Sequence, residues 1–371
     1  MADIIIRNAT LLRPKTQSEE IVDVAIRDGI VTGIGQGLEA ASDSIVIDGA
    51  GKYMTAGWID AHAHLYNRSG AIGLDRDTFL PQGVTYVIEA GTTGPENFED
   101  YLLHCGRKGH IRGRAYLNLA PQGVVKDGGE LTDLSKVSLE ACEETIAKYP
   151  EEIIGVKLRI DPRVCENPWK AMELIAELSR RTGKPLIVHA SRTEMPMEDI
   201  LSHMKAGDIF AHSFADKAPG LLDERGCVKE AVLKARERGV YFDLSHGKSN
   251  FSFEISKAAI DQGFLPDAIS TDLHAGSLSI VGSLALTMSK MMACGLNLHQ
   301  VTDLVTVDAA RMLGISEKAT EIAVGQKADM TLFTLEKGEF TLTDSDGKTA
   351  VGHHLISPCC TVLDESVYYA E

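Results

Sequence analysis

The sequence predicts an α/β protein in which a (β/α)8 TIM barrel is combined with a small β-sandwich domain formed by both chain termini. From Gly57 onward, segments typical of strands alternate with segments typical of helices, which is the pattern of a parallel sheet. Both ends of the chain contain strand segments without such helices. The chain has 371 residues, more than the roughly 250 of a typical barrel. We therefore predict a small domain from residues 1–55 plus 318–371 and a barrel from residues 56–317.

The small domain begins with short β-rich runs that are separated by turn signals. DIIIRNATLL is followed by VDVAIRDGIVTGIG, in which Asp28 and Gly29 form a turn dipeptide, and then by SIVIDGAGKYMT. Alternating apolar residues around an Asp-Gly pair are typical of a hairpin, so we expect a small antiparallel sheet. Strand character returns near the C terminus in ADMTLFTLEKGEFTLTD and CCTVLDESVYYA. The two ends are therefore expected to complete one β-domain.

The barrel segment contains eight apolar strand candidates, the number that a closed barrel requires. Helical stretches such as SLEACEETIAKY and NPWKAMELIAELSRRTG lie between most of them, and their apolar residues recur at spacings of three and four. Two further helices are expected near residues 280–294 and 299–313. The strand candidates are GWIDAHAH, VTYVIEAG, GRAYLNLAP, IIGVKLRI, PLIVHAS, DIFAHSF, GVYFDLSHG and DAISTDLHAG.

Charge and composition exclude several classes of partner. The formal net charge is −16 and the pI is about 5.2, a balance that repels nucleic-acid phosphates and anionic membrane surfaces. The chain has no run of about 18 apolar residues, and its first residues lack the basic region of a signal peptide. We therefore expect a cytoplasmic protein without a nucleic-acid or membrane partner. The seven cysteines are scattered without C-x-x-C spacing, which indicates reduced thiols.

Ionisable residues stand at the ends of five of the predicted barrel strands. His62 and His64 end the first strand, and the alternation of side chains along a strand aims both at one spot. The C-terminal ends of barrel strands converge on one pocket. Each residue alone is compatible with a structural role, but burying six would cost about 1–3 kcal/mol for each unsatisfied group. A bound cation removes that cost. The set is His62, His64, Lys157, His189, His212 and Asp272.

This ordered set resembles the pattern of the amidohydrolase superfamily, in its binuclear branch. That pattern has H-x-H on the first strand, lysine on the fourth, histidines on the fifth and sixth, and aspartate on the eighth, beside a β-domain built from both termini. The resemblance covers nearly the whole chain and implies two divalent metal ions, for which zinc suits the ligands best. His62 and His64 would hold one metal, His189 and His212 the other, and Lys157 would bridge both as a CO2-derived carbamate.

The resemblance also implies a reaction class. Hydroxide formed at the two metals would attack the carbonyl carbon of an amide or an ester. Asp272 would bind the first metal, accept the proton of the water as general base, and return it to the leaving group as general acid. The alternative outside enzymes is a scaffold protein that has lost its metals, and the complete ligand set disfavours it.

The second residue after H-x-H distinguishes among the relatives. Dihydroorotases normally carry arginine there, whereas this chain has Tyr66 in HAHLY. This departure argues against dihydroorotate as the substrate. The sequence looks closer to dihydroorotase-like amidohydrolases labelled as deacetylases, whose implied substrates are small acylated α-substituted carboxylic acids. A cyclic-amide hydrolase of the dihydropyrimidinase type and an adenine deaminase-like aminohydrolase remain alternatives, and by analogy a homo-oligomer is expected.

Arg159 is the first candidate for binding the substrate carboxylate. It lies two residues after Lys157 and therefore on the same face of the strand, where a guanidinium could bind a carboxylate through two N–H groups. A salt bridge at the barrel rim is the alternative. His246, in the loop after the seventh strand, is expected either to support the metal ligands or to stabilise an oxyanion, and Tyr66 is assigned to the substrate side. Structural roles are favoured for Asn118, Arg192 and His274.

Overall fold

Strands from both ends of the chain enclose a central series of alternating strands and helices. The structure is a computed structural model that describes residues 3–125 and 129–370. Its strands are β1 (Ile4–Leu12), β2 (Glu19–Arg27), β3 (Ile30–Gly35), β4 (Ile45–Asp48), β5 (Tyr53–Ala56), β6 (Trp58–Ala63), β7 (Val84–Glu89), β8 (Arg112–Asn118), β9 (Ile153–Ile160), β10 (Leu186–Ala190), β11 (Ile209–Ala211), β12 (Tyr241–Phe242), β13 (Asp329–Thr343), β14 (Thr349–Leu363) and β15 (Ser366–Tyr369). Its α-helices are α1 (Phe98–Tyr101), α2 (Leu139–Lys148), α3 (Pro168–Thr182), α4 (Met197–Ser202), α5 (Glu230–Glu237), α6 (Phe253–Asp261), α7 (Leu278–Val281), α8 (Leu284–Ala293), α9 (Leu298–Asp303) and α10 (Val307–Leu313).

One sheet combines strands from both termini. Its order is β15-β14-β13-β5-β1-β2-β3, with β4 also paired to β1. Asp28 and Gly29 form the predicted turn between β2 and β3, with φ angles of 49° and 70°. The expectation of a wholly antiparallel N-terminal sheet is wrong, because β4 and β5 run parallel to β1. Since β2 covers one edge of β1, the chain after β3 crosses to the other edge and arrives there in the direction of β1.

The terminal sheet curls around its own apolar core. Ile30 at the start of β3 bridges Lys327, and the Val31 amide donates to the Gln326 carbonyl at 2.8 Å. Edge strand β3 therefore meets the segment that leads into β13, and the predicted sandwich takes the form of one hydrogen-bonded sheet. Buried side chains from both termini pack in one cluster, which includes Ile6, Val24, Met54, Met330 and Val362.

The predicted barrel is confirmed, although its last strand is irregular. Strands β6 to β12 are parallel and pair in chain order. Residues 268–273, here called the closing segment, complete the ring because Ala268 bridges Asp243 and Leu273 bridges Ala63. The Asp272 amide also donates to the His62 carbonyl at 2.6 Å. A φ of 52° at Asp272 lies outside the extended range, which explains why the closing segment makes isolated bridges instead of a regular strand.

Helix α3 illustrates how local sequence determines the elements around the barrel. The Asn167 side chain accepts a hydrogen bond from the Lys170 amide at 3.0 Å, Pro168 occupies the first turn, and Gly183 ends the helix with a φ of 70°. Its apolar face packs on the barrel strands. Among the residues described, no helix is long and apolar enough to cross a membrane. The buried residues of that face include Ala171, Met172, Ile175 and Leu178.

The hairpin of β13 and β14 reaches from the terminal sheet to the C-terminal end of the barrel strands. Near its tip, the Ser345 amide donates to the Phe251 carbonyl at 3.1 Å, and the Ser345 hydroxyl donates to the Gly247 carbonyl at 3.0 Å. The buried Asp344 carboxylate accepts from the Phe253 amide at 3.4 Å. The middle and the C-terminal end of the loop that follows β12 are therefore held by the C-terminal part of the chain.

A buried ion pair joins the barrel to the terminal sheet. Lys318 follows the last barrel helix, and its Nζ lies 2.8 Å from Oδ2 of Asp329, the first residue of β13. The two side chains are 0% and 1% exposed. The Asp329 carbonyl also accepts the Gly57 amide at 3.0 Å, so this pair lies where the chain both enters and leaves the barrel.

We predict that Asp329→Ala lowers the free energy of unfolding by about 3–5 kcal/mol, because it leaves the Lys318 ammonium buried without a counter-charge. Denaturant unfolding followed by circular dichroism measures the loss. The double variant Lys318→Met/Asp329→Ala removes both charges and should recover part of the stability. A single variant as stable as the wild type would show that the pair does not stabilise the junction.

Candidate functional site

Two histidines and one aspartate converge at the C-terminal end of the barrel. His62 lies in β6, His64 follows that strand, and Asp272 lies in the closing segment beside it. The Asp272 Oδ1 atom is 3.0 Å from His64 Nε2 and 3.7 Å from His62 Nε2. One potential ligand atom from each residue lies within 4.8 Å of the others, and all three residues are buried. This is the ligand spacing that a single metal ion requires.

The other three predicted ligands stand around the same carboxylate. Lys157 in β9 places Nζ 3.2 Å from His62 Nε2. His212 directly follows β11, and its Nε2 is 3.9 Å from Asp272 Oδ2. The ring of His189, in β10, lies 4.0 Å from that of His212, centroid to centroid. The structure therefore brings together all six residues that the sequence singled out.

Outer hydrogen bonds aim the imidazoles inward. His62 Nδ1 lies 3.0 Å from Ser245 Oγ, and His64 Nδ1 lies 2.7 Å from Thr92 Oγ1. His212 Nδ1 donates to the Ser245 carbonyl at 2.6 Å, which leaves the lone pair on Nε2. That Nε2 is buried and has no hydrogen-bond partner among the described residues. An unpaired nitrogen lone pair beside a carboxylate and further imidazoles fits a divalent cation.

The protonation states also suit metal ligands. Burial and the nearby Lys157 hold the pKa of His62 well below its ordinary value, and burial with His212 does the same for the pKa of His189. Burial lowers the pKa of His212 to about 3 and that of Lys157 to about 8. Burial alone would raise the pKa of Asp272, but hydrogen bonding and the surrounding imidazoles keep it well below its usual range. At neutral pH the imidazoles of His62, His189 and His212 are therefore uncharged beside an anionic carboxylate.

Backbone strain is concentrated at the same end of the barrel. The last four strand segments are each followed by, or contain, a non-glycine residue with positive φ: Arg192 (57°), His212 (60°), Ser245 (45°) and Asp272 (52°). Such conformations cost of order 1–3 kcal/mol each and persist where the surroundings enforce them, often at functional sites. Three of these four residues belong to, or contact, the candidate ligand set.

A cavity of about 240 Å³ opens onto the candidate ligands. His64, Lys157, His189 and Asp272 form part of its lining. Four of the other described lining residues are cationic, although the chain as a whole carries a net charge of −16. Such a local reversal of charge favours an anionic ligand. The cationic lining residues are Arg159, Arg163, Arg192 and Lys248.

The arginines of the cavity differ in how they are paired. Arg159 lines the cavity as the sequence suggested, but its Nη1 donates to Glu130 at 2.7 Å, and the Glu130 side chain is only 4% exposed. This is the rim salt bridge that was the alternative interpretation. Arg163 binds Asp161 through Nε and Nη2 at 2.8 and 2.7 Å. The guanidinium of Arg192 lies 3.8 Å from the same carboxylate, and its side chain is 38% exposed.

Two of the predicted substrate-side residues do not line this cavity. His246 is buried, its Nδ1 is bonded to the Gly247 carbonyl, and its Nε2 lies 2.9 Å from Lys290 Nζ. Since an ammonium can only donate, Nε2 acts as an acceptor and has no proton for an oxyanion. The Tyr66 hydroxyl donates to Asp100 at 2.7 Å. The assignment of both residues to the substrate side stays a prediction.

Some lining residues were missed or undervalued. Arg192 and His274, for which structural roles were favoured, both line the cavity. Asn118 has the structural role expected for it, since its side chain bonds the Gly91 carbonyl and the Ala120 amide. Arg163, Lys248 and Asn250 were not considered, although the polar run GKSN directly after the seventh strand is a signal that could have found the last two. Nothing in the sequence marked Thr92 or Ser245.

Comparisons with known proteins agree with this geometry. The model of the amidohydrolase family matches residues 53–351. A protein described as a deacetylase from Enterococcus faecalis is 31% identical, over 99% of this chain and 99% of its own length. A second deacetylase, from Brucella anthropi, is 30% identical over 93% of this chain and 87% of its own.

Solved structures are similar to this protein over the whole length of the chain. One described as a dihydroorotase is similar with a TM-score of 0.91 and 28% identity, covering 100% of this chain and 98% of its own. One described as an adenine deaminase has a TM-score of 0.88 and 29% identity, with 100% of both chains covered. The fold, the buried His-His-Asp group and these matches show that the chain belongs to the amidohydrolase family of hydrolases.

Proposed function

We propose that the protein is a binuclear metal-dependent deacetylase-like hydrolase, which cleaves the amide or ester bond of a small acylated α-substituted carboxylic acid. The observation that carries this proposal is the position of Asp272. Its anionic carboxylate stands among the imidazole nitrogens and also lines a cavity that carries four arginine and lysine side chains. Relatives described as deacetylases match nearly the full length of the chain, which supports an acyl group as the part that is released.

Two groups of ligands would hold the metals. The first group consists of His62, His64 and Asp272. The second consists of His189 and His212. The Nε2 atom of His212 has no hydrogen-bond partner among the described residues, so its lone pair is available to a metal ion. Lys157 would join the two after carboxylation by CO2, a reaction that needs the uncharged amine. A pKa of about 8 supports this role, because an appreciable fraction of the amine is then uncharged near neutral pH. Zinc suits nitrogen and oxygen ligands of this kind.

The residues of the chain divide the chemistry between them. Metal ions held by these ligands would lower the pKa of a water molecule and polarise the substrate carbonyl. Asp272 accepts the proton from the attacking water and then donates it to the leaving nitrogen or oxygen, as general base followed by general acid. Because its pKa lies well below the usual range, the carboxylate is in the accepting form before the substrate arrives.

The substrate carboxylate is best placed against Arg192 and Lys248. Both line the cavity and both are exposed to it, whereas Arg159 is already paired with Glu130. Arg163 donates hydrogen bonds to both oxygens of Asp161. The distance from the Asp161 carboxylate to the guanidinium of Arg192 is therefore longer, at 3.8 Å. Arg192 thus retains donors for an incoming anion, with Arg159 as the alternative anchor.

An aminopurine or cyclic-amide substrate is the second candidate. It is favoured by the similarity to a structure described as an adenine deaminase, over 100% of both chains. The same metal ligands and the same general base would serve that reaction. An uncharged purine, however, makes no use of the arginine and lysine side chains of the cavity, and this is why deacylation of an anionic substrate is the leading proposal.

We predict acetate release from N-acetyl amino acids or O-acetyl-2-hydroxy acids by the zinc-loaded enzyme. The panel contains both enantiomers of each compound, and we expect one enantiomer to be strongly preferred because the metals and the anion anchor fix two points of the substrate. Acetate is measured by a coupled assay, with Asp272→Asn as the inactive control. No release from any acyl compound, together with turnover of adenine or dihydrouracil, would refute the deacylase proposal.

Lys157→Ala should lower the metal content from about two ions to one or fewer per chain and activity by at least about 100-fold, because the ligand shared by both metals is lost. Metal analysis of the purified proteins measures the first effect. Acetate or propionate added to the variant should restore part of both. Lys290→Met is the matched control, since this buried lysine bonds His246 instead of the ligand set. Full metal occupancy in Lys157→Ala would exclude the bridging role.

Arg192→Met should raise KM for a carboxylate-bearing substrate by about 10-fold or more, because a charge-assisted hydrogen bond contributes about 1.5–3 kcal/mol. The KM for the neutral methyl ester of the same substrate should change little. Arg159→Met, as the comparison variant, should lower stability by leaving Glu130 unpaired without selecting between the two substrates. A selective loss in Arg159→Met alone would return the anchor to Arg159.

A further inference from the structure

Ser245 contacts one imidazole from each half of the candidate metal centre. It follows β12, is fully buried, and has a left-handed backbone with a φ of 45°. Its hydroxyl oxygen is 3.0 Å from His62 Nδ1, and its carbonyl oxygen is 2.6 Å from His212 Nδ1. The left-handed conformation, which is costly for a residue with a β-carbon, allows one residue to direct its side chain and its carbonyl to two different rings.

The two contacts determine which ring nitrogen carries the proton in His62 and in His212. A carbonyl oxygen can only accept, so His212 must carry its proton on Nδ1 and the lone pair on Nε2. The Ser245 hydroxyl has one proton, which it donates to the Asp243 carboxylate. Its oxygen therefore accepts from His62 Nδ1, which leaves the lone pair of His62 on Nε2 as well. Ser270 donates to both Asp243 oxygens at 2.8 and 2.6 Å and so keeps that carboxylate in place.

We infer that Ser245 is a positioning residue that sets the tautomer and ring orientation of one histidine in each of the two proposed metal sites. The inference rests on the two-metal centre of the proposed function. Outer partners of this kind fix the ligating nitrogen and increase its basicity. Because both rings depend on one residue, a displacement of Ser245 would change both sites together.

The two contacts can nevertheless be separated experimentally. The link to His62 uses the side chain of Ser245 and is lost in Ser245→Ala. The link to His212 uses the backbone carbonyl and is retained in the same variant. Ser245→Ala should therefore weaken only the metal held by His62, His64 and Asp272, an asymmetry that general damage to the barrel would not produce.

The experiment is a titration of the metal-free protein with Zn²⁺ against a chromophoric chelator, which yields a separate affinity for each site. We expect the Ser245→Ala variant to bind one zinc with about 10–100-fold lower affinity and the other as the wild type does. Ser289→Ala is the matched control, because this buried hydroxyl bonds the Ala285 carbonyl and the Ile356 amide and contacts neither Ser245 nor a histidine of the site. It should leave both affinities within about threefold of the wild type, far below the effect of a lost outer partner.

A second variant tests the same inference without removing Ser245. Asp243→Asn replaces an acceptor oxygen by an amide that can donate to Ser245 Oγ. The hydroxyl proton then turns to His62 Nδ1 and moves the ring proton to Nε2, so the same zinc site should weaken. Wild-type affinity at both sites in these two variants, or an equal loss at both sites in Ser245→Ala, would overturn the role of Ser245. A wild-type protein that binds no zinc would instead refute the two-metal proposal itself.

Discussion

The orientation of the buried imidazoles is the constraint on which the rest of the candidate site depends. An imidazole can bind a cation only through a nitrogen that lacks a proton, and in this protein the outer partners decide which nitrogen that is. The Ser245 carbonyl fixes His212, and the Ser245 hydroxyl together with Asp243 fixes His62. With these nitrogens directed inward, the anionic carboxylate of Asp272 lies between them. A metal ion bound there would satisfy all of these buried polar groups together.

Strained backbone and buried polar side chains are concentrated at the C-terminal end of the barrel, where the candidate ligands lie. Residues with positive φ follow several barrel strands at the end that carries the ligands, while the terminal sheet packs around a separate apolar cluster. The terminal sheet still contributes to the site, because Ser345 at the tip of its hairpin bonds Gly247 in the loop after β12. That loop carries Lys248 and Asn250 into the cavity. The β-domain therefore supports the cavity wall as well as the barrel.

Electrostatics argues for the class of substrate more strongly than the fold does. The matched relatives are described as deacetylases, a dihydroorotase and an adenine deaminase, so the same fold occurs in proteins described with several activities. The cavity of this protein is lined by four arginine and lysine side chains, although the protein as a whole is acidic. A carboxylate beside the scissile bond would use these groups, and Asp161 holds Arg163 in place while leaving Arg192 exposed.

The sequence by itself determined the family, the barrel and all six candidate ligands, because these depend on residue types at regular positions. His62 and His64 are separated by the two-residue period of a strand, and the other ligands end predicted strands in a set order. Tertiary structure alone decided the outer partners and the substrate side. Glu130 occupies Arg159, Lys290 occupies His246, and Arg192 turns into the cavity through a left-handed backbone. The two contacts join residues that are 29 and 44 positions apart, and such arrangements follow from packing between distant parts of the chain, which has no local period in the sequence.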